Sequence, residues 1–176
     1  MKKGTKNAMI MAALCTAAGL CLTAIALVCA GLQIKDINGM KRQEETYTVQ
    51  ESFFDIDINV VTADVHILPS DNGACRVECR ETDKITHTVT VVGNTLTVRQ
   101  QDSRRWFERL DWFGSYMLEV LVYLPKETYD GLTVTTVSGN IDIGKELGFG
   151  NAALHSTSGD IDSTARVSGD LTATTT

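Results

Sequence analysis

Apolar and polar residues alternate along most of the chain after about residue 50, and this period of two is typical of β-strands. Residues 54–60 alternate strictly, and residues 65–67 and the segment around Cys75 follow the same pattern. The pair Gly93-Asn94 separates two further alternating runs and predicts a two-residue β-hairpin. Residues 117–124 form one more apolar run of strand length. The pattern predicts an all-β fold, because no stretch of this region has a sustained helical period.

From residue 131 onward a short motif recurs at regular spacing. Ser138-Gly139-Asn140 is followed by Ser158-Gly159-Asp160 and by Ser168-Gly169-Asp170, so the glycines stand 20 and then 10 residues apart. Residues 147–150 fill the missing place on this ten-residue grid. Glycine accepts positive φ and the adjoining Asp or Asn bonds its own backbone, which predicts a tight corner at each motif. Ten-residue units bury their apolar faces only by stacking, so we expect a β-solenoid-like repeat domain with two units per coil.

The N-terminal part of the chain has a different pattern. Residues 8–32 contain no charged side chain and follow Lys2, Lys3 and Lys6. An apolar helix of this length can cross a hydrocarbon core of about 30 Å. The lysines predict that residues 1–7 remain in the cytoplasm. We therefore expect a single-pass transmembrane helix, a signal anchor, over residues 8–32.

The rest of the organisation follows from this anchor. Residues 33–50 are polar and weakly patterned, which predicts a stalk, and residues 51–176 then form an extracytoplasmic β-repeat domain at the cell membrane. The alternative is a signal peptide cleaved after the small residues of Val28-Cys29-Ala30. On the ten-residue grid the next glycine belongs near position 179. We therefore expect that the chain is truncated and comes from a longer repeat protein.

Charge is distributed unevenly. The first 32 residues hold three lysines and no acid, so residues 33–176 carry 13 basic and 22 acidic residues, a formal net charge of −9. Such a domain repels nucleic acid and anionic lipid. We therefore expect no nucleic-acid partner.

Two cysteines lie in the predicted domain. Cys75, Val77 and Cys79 alternate with charged residues, which predicts that both thiols face the core. On one strand they lie about 13 Å apart and cannot form a disulfide with each other. No histidine accompanies them at the usual ligand spacing, so we predict neither a metal site nor a cofactor.

Other polar residues have structural explanations as well. Repeat acids could form a cation ladder, but corner hydrogen bonding explains them better, since the calcium-binding nonapeptide motif is absent. Asp55 and Asp57 are interpreted as a solvated strand face rather than a carboxylate pair for glycoside hydrolysis. The three histidines are predicted to point outward and accompany no nucleophile motif: His66, His87 and His155. No catalytic residue is predicted, and the chain is not expected to be an enzyme.

One polar-aromatic cluster has two interpretations. Residues 104–114 contain both tryptophans of the chain. Either these aromatics cover the open end of the β-core, or they contact a partner or a membrane surface, since Trp, Phe and Arg are typical of interfaces. The residues of this possible contact are Arg104, Arg105, Trp106, Phe107, Arg109, Trp112 and Phe113.

The sequence resembles the putative adhesin family of bacterial β-strand repeat proteins, a family of unknown function. The resemblance covers about residues 47–176. It is carried by Leu96-Thr-Val-Arg-Gln-Gln-Asp, the insert 106–114, Val122-Tyr-Leu-Pro-Lys and the Ser-Gly-Asp-Ile corners. It implies a β-solenoid at the cell envelope with a role in adhesion or in sensing envelope stress, and it implies no catalytic residues.

Three functions remain open at this point. The first is a non-enzymatic, envelope-displayed module that binds cell-wall material or envelope proteins, or senses envelope stress. The second is a structural surface spacer without a tight ligand. The third is a carbohydrate-acting enzyme built on a β-helix.

Overall fold

The computed structural model describes residues 3–29, 41–105 and 118–176. The chain divides into two compact units, Met1–Gly39 and Met40–Thr176. In the first unit one helix, α1, runs from Lys3 to Cys29. Within the described residues no helix is both long enough and apolar enough to span a bilayer. The predicted transmembrane helix over residues 8–32 is therefore not confirmed.

The described residues of the second unit form thirteen β-strands, which confirms the predicted all-β fold for this part of the chain. The strands are β1 (Arg42–Val49), β2 (Asp55–Asn59), β3 (Ala63–Pro69), β4 (Cys75–Thr82), β5 (Ile85–Val92), β6 (Thr95–Asp102), β7 (Leu118–Leu124), β8 (Thr128–Thr136), β9 (Ile141–Ile143), β10 (Gly148–Ser156), β11 (Ile161–Ser163), β12 (Arg166–Val167) and β13 (Leu171–Thr175). The predicted hairpin joins β5 to β6, where Gly93 has a φ of +62°.

These strands form two sheets. The order is β1-β4-β7-β3-β9-β11 in the first sheet and β12-β10-β8-β2-β6-β5 in the second, where β13 also pairs with β10. From β6 to β13 the chain alternates between the sheets, apart from β12 and β13, which lie in succession against β10. Each such crossing adds a strand that pairs in parallel with a strand from an earlier part of the chain, which is the predicted solenoid arrangement.

The strand register confirms the repeat length. Leu132 pairs with Ala152, and Ile141 pairs with Ile161, so one coil spans 20 residues in both sheets. The next coil is one residue shorter, because Ala152 pairs with Leu171. Two ten-residue units therefore make one coil, as the glycine spacing predicts.

One end of the domain is built differently. Strand β1 pairs antiparallel with β4, β4 with β7, and β5 with β6. Since β1 starts at Arg42, the sheet begins inside the segment predicted as a stalk. At this end of the unit, antiparallel strands therefore pair with the outermost strands of the parallel coils. We call the strands β1, β4 and β5 the antiparallel end.

The core lies between the two sheets. Along β7 the burial of side chains alternates strictly, and Val120, Val122 and Leu124 are fully buried. Cys75 and Cys79 also face the core, as predicted. Burying each large aliphatic or aromatic side chain contributes about 1.5–3 kcal/mol. Apolar side chains at equivalent positions of successive coils are buried against one another. This burial supplies the stability that a single ten-residue unit lacks.

Candidate functional site

The predicted corner residues stack above one another and bond between coils. The Asn140 N–H donates to Asp64 Oδ1 at 2.7 Å, and the Asp160 N–H donates to Asn140 Oδ1 at 2.9 Å. At the opposite corner the Asp170 N–H donates to Asn151 Oδ1 at 3.0 Å. These side chains therefore accept bonds from the next coil rather than from their own backbone, which corrects the local turns that the sequence predicts.

The corner glycines are required because the coils approach closely, and not because of the positive φ that the sequence predicts. Positive φ occurs among the described glycines at Gly73 and Gly93 but not at the repeat corners. A Cβ at Gly139 would lie 1.9 Å from the Ala63 carbonyl oxygen, and one at Gly159 would lie 1.9 Å from the Gly139 oxygen. The backbones of neighbouring coils approach too closely for any side chain at these corners.

Buried hydroxyl groups complete the same corner. Ser156 Oγ donates to the Gly139 carbonyl at 2.9 Å and accepts from the Gly159 N–H at 2.9 Å. Thr136 Oγ1 occupies the equivalent position one coil below, where it accepts from the Gly139 N–H at 3.1 Å. The polar atoms of this repeat are thus used to hold coils together.

Most of the polar-aromatic insert lies outside the described residues. Trp106, Phe107, Arg109, Trp112 and Phe113 fall there, so the two interpretations of the insert stay predictions. Arg104 and Arg105 are described, and the Arg104 guanidinium binds the Asp102 carboxylate through Nε at 2.9 Å and Nη2 at 2.8 Å. The insert follows β6 in one sheet and precedes β7 in the other.

Side chains of the predicted solvated faces contact one another across neighbouring strands. The Arg99 guanidinium donates to the Asp57 carboxylate across β2 and β6. His66 Nδ1 lies 3.0 Å from Asp142 Oδ2 on the neighbouring strand β9. Both contacts are partly exposed, and an ion pair such as Arg99–Asp57 contributes about 0–1 kcal/mol to stability at such a position.

A groove crosses three coils at another corner. Its volume is about 600 Å³, and Lys126, Thr128, Glu146, Gly148, Arg166 and Ser168 contribute to its wall. Lys126 forms an ion pair with Glu146, which has a positive φ of 69°. The pairing raises the pKa of Lys126 and lowers that of Glu146. Leu147, Phe149 and Val167 also line the groove, so its walls are mixed in polarity, and no catalytic pair converges among its described residues.

The antiparallel end contains a buried cluster of ionisable side chains. One possible ligand atom from each of Cys79, Glu81 and His87 lies within 4.8 Å of the others. Glu81 Oε1 accepts the His87 backbone N–H at 2.6 Å and lies 3.2 Å from His87 Nδ1. His87 Nε2 is buried and has no hydrogen-bond partner within the described residues. These three residues could hold a metal ion.

Burial controls the charge of this cluster. It raises the pKa of the Cys79 thiol to about 12, with smaller contributions from Glu81 and Glu45. Burial also raises the pKa of Glu81, although the His87 backbone N–H opposes this shift. The pKa of His87 falls to about 4 for the same reason, because a charged imidazole loses hydration in the core.

The inward position of His87 corrects a prediction. The sequence predicts outward positions for all three histidines, and His155 is indeed exposed, but His87 is only 4% exposed. A signal was present, because Ile85, His87 and Val89 share one face of β5 by alternation, and Ile85 is a core residue. His87 was missed as a possible ligand because spacing along the chain does not show which strands face each other across a core.

Comparison with known proteins adds the family. The family model described as Toastrack DUF4097 matches residues 53–176. A "putative cell adhesion protein" from Clostridium sporogenes has a similar structure, with a TM-score of 0.50 at 10% identity over 73% of this chain and 64% of that one. Among curated proteins, none matches the chain.

Two further solved structures are more distant. A "putative adhesin" from Bacteroides fragilis has a TM-score of 0.44 at 19% identity, covering 70% of this chain and 62% of that one. Another from Parabacteroides merdae has a TM-score of 0.41 at 12% identity, covering 71% and 57%. The chain thus spans about three-fifths of the length of these structures. Because the family model covers most of the second unit, including every repeat corner, the chain belongs to the Toastrack DUF4097 family.

Proposed function

We propose that this chain is a non-enzymatic β-repeat module displayed at the bacterial cell envelope, where it binds a wall or protein partner. The observation that carries the proposal is the corner chemistry. Asn140, Asp160 and Ser156 belong to the most conspicuous polar motif of the sequence, and their described hydrogen bonds join one coil to the next. The repeat is therefore a scaffold, and binding is assigned to a segment that the scaffold carries.

The insert 104–114 is the segment that we assign to partner contact. It contains Trp, Phe and Arg, the side chains that contribute most to protein interfaces. Its first arginine is held by Asp102 at the end of β6, which fixes where the insert leaves the sheet. The acidic domain would repel anionic lipid, which favours a wall or protein partner over a bilayer surface.

Display outside the cytoplasm is the second part of the proposal. It is supported by the uncharged residues 8–32, which follow three lysines and precede an all-β unit. In cells that express the chain, added protease should cleave the β-unit, and fractionation should recover it with the envelope. Full protection from external protease in intact cells would contradict display.

Binding is tested by sedimentation of the purified full chain with isolated wall and membrane fractions. Replacing Trp106 and Trp112 together by alanine should abolish saturable binding, because the aromatic anchors are lost. Phe54→Ala is the matched control, since Phe54 is an aromatic residue outside the insert that is 52% exposed. Binding that survives the double substitution would contradict the assignment to the insert.

The alternative function is a surface spacer. It is favoured by the same hydrogen-bonded corners, because a stack of joined coils is a stiff structure whether or not it binds anything. A folded chain that sediments with neither fraction would support the spacer. Release of soluble sugars from wall material during the incubation would instead support the carbohydrate-acting enzyme.

A further inference from the structure

We propose that Cys79, Glu81 and His87 form a binding site for a transition-metal ion, with Zn²⁺ as the ion that the donor set fits best. The site is independent of the envelope function proposed above. It lies at the antiparallel end, where β4 supplies the thiol and the carboxylate and β5 supplies the imidazole. One ligand atom from each residue lies within 4.8 Å of the other two, which is close enough for a single ion to reach all three.

The imidazole provides the strongest observation. Glu81 Oε1 accepts the His87 backbone N–H and lies 3.2 Å from Nδ1, a separation that two ligands of one ion can have. His87 Nε2 is fully buried without a partner among the described residues, so the protein atoms around the ring do not satisfy all of its hydrogen-bonding capacity. An ion that binds Nδ1 would replace the contact of this nitrogen with Glu81, and the carboxylate would then serve as a ligand itself.

The chemical types also favour a cation. A thiol, a carboxyl and an imidazole supply S, O and N donors, which are the ligands of protein-bound zinc. Glu45 on β1 pairs directly with Cys79 on β4, which places a further carboxylate on the strand next to the cluster. A buried divalent ion would compensate the negative charge of a thiolate and of these carboxylates.

A surface groove lies beside the cluster. A groove of about 350 Å³ opens beside the site, and Glu81 contributes to its wall together with Arg42, Gln43, Glu44, Arg80 and Thr82. Glu81 thus connects the groove to the buried cluster. The other buried cysteine, Cys75, belongs to the same face of β4 but not to the cluster, and it offers a matched control.

The test uses Co²⁺ as a spectroscopic substitute for Zn²⁺ in the purified full chain. Cys15→Ala, Cys21→Ala and Cys29→Ala are introduced first, to remove the thiols of the helix. We expect one equivalent of Co²⁺, a thiolate-to-cobalt charge-transfer band and displacement of Co²⁺ by Zn²⁺. Absence of this band, or of saturable binding, in a folded protein would overturn the proposal.

Substitutions locate the site. Cys79→Ser should abolish the charge-transfer band, His87→Gln should weaken binding by more than the roughly 10–100-fold that loss of an outer-shell partner costs, and Cys75→Ser should leave both unchanged. Equal losses in Cys75→Ser and Cys79→Ser would refute the assignment. If Cys79→Ser does not fold, X-ray absorption on the unsubstituted site decides the question, because it must show one sulfur ligand among nitrogen and oxygen ligands. A shell without sulfur contradicts the site.

Discussion

Single residues at the repeat corners show how closely the coils approach. Gly139 and Gly159 occupy equivalent corners, and in each case a Cβ would overlap the carbonyl oxygen of the coil below. The hydroxyl of Ser156 bonds both the lower carbonyl and the N–H of its own coil, so the corner leaves neither group unpaired. The glycine is therefore needed for space, whereas Gly93 in the hairpin is needed for its positive φ.

This distinction gives a prediction for Gly159→Ala. The added methyl group forces the coils apart and should lower the free energy of unfolding by about 1–3 kcal/mol, as overpacking does. Urea unfolding of the purified protein measures this change. Gly93→Asn is the control, because Asn tolerates the left-handed backbone of that turn and nothing lies within 4 Å of a Cβ added there. Equal losses in both variants would contradict the close-approach explanation.

A second prediction at this scale concerns pH. Burial raises the pKa of the Cys75 thiol from 9.0 to about 12. As pH rises, the thiol therefore loses its proton in the unfolded chain before it does so in the folded chain. The free energy of unfolding should fall above about pH 9, by at most about 1.4 kcal/mol per pH unit. Cys75→Val keeps an apolar side chain without a titrating group.

Urea unfolding at pH 8 and at higher pH compares the two proteins. The stability of Cys75→Val relative to the unsubstituted chain should improve as pH rises. A difference between the two proteins that stays constant across this range would show that the thiol does not titrate differently on unfolding.

At the scale of elements, like side chains stack in columns between the sheets. Phe53 precedes β2, Tyr129 lies on β8 and Phe149 lies on β10, and their rings form a column with centroid distances of 5.7 and 6.0 Å. The Tyr129 hydroxyl donates to the Pro125 carbonyl at 3.1 Å. Such a column links successive coils, because each ring packs against the ring of its neighbour rather than within its own unit.

Removing the most buried ring of this column should be costly. Phe149 is only 1% exposed, so Phe149→Ala should lower the free energy of unfolding by about 3–5 kcal/mol through lost burial and a cavity. Phe54→Ala, at an exposed ring, should change it by about 0.5 kcal/mol or less. Chemical denaturation of both variants provides the comparison, and similar effects would show that the column is not part of the stable core.

For the whole β-unit, the two ends differ. The antiparallel end carries β1 and β5, while the last described coil presents β11, β12 and β13. Every residue of β13 is exposed, and Leu171 is 55% exposed. In a stacked repeat each coil depends on its neighbours, so a strand with one partner is held less firmly than a central strand.

Hydrogen exchange should therefore vary along the stack. Amides of β13 should open with a free energy near zero, while those of β8, between β10 and β2, should approach the global value, on the order of 5–15 kcal/mol. Native-state exchange followed by NMR or mass spectrometry measures the gradient. Equal protection of β13 and β8 would indicate that the unit opens only as a whole.

Some features of this protein were determined by the sequence itself. Alternation predicted the strands because side chains on a strand point to opposite faces whatever surrounds them, and Gly93-Asn94 predicted its hairpin from local φ preferences alone. The 20-residue register followed from the glycine spacing, because stacked coils must repeat at the period of their corners.

Other features required the tertiary structure. The reason for glycine at position 159 depends on a carbonyl of another coil, and the partners of Asn140 and Asp160 lie a full coil or more away in the chain. The meeting of Cys79, Glu81 and His87 depends on how β4 and β5 face each other across the core. Sequence pattern reports local geometry and period, whereas contacts between distant segments are decided by packing.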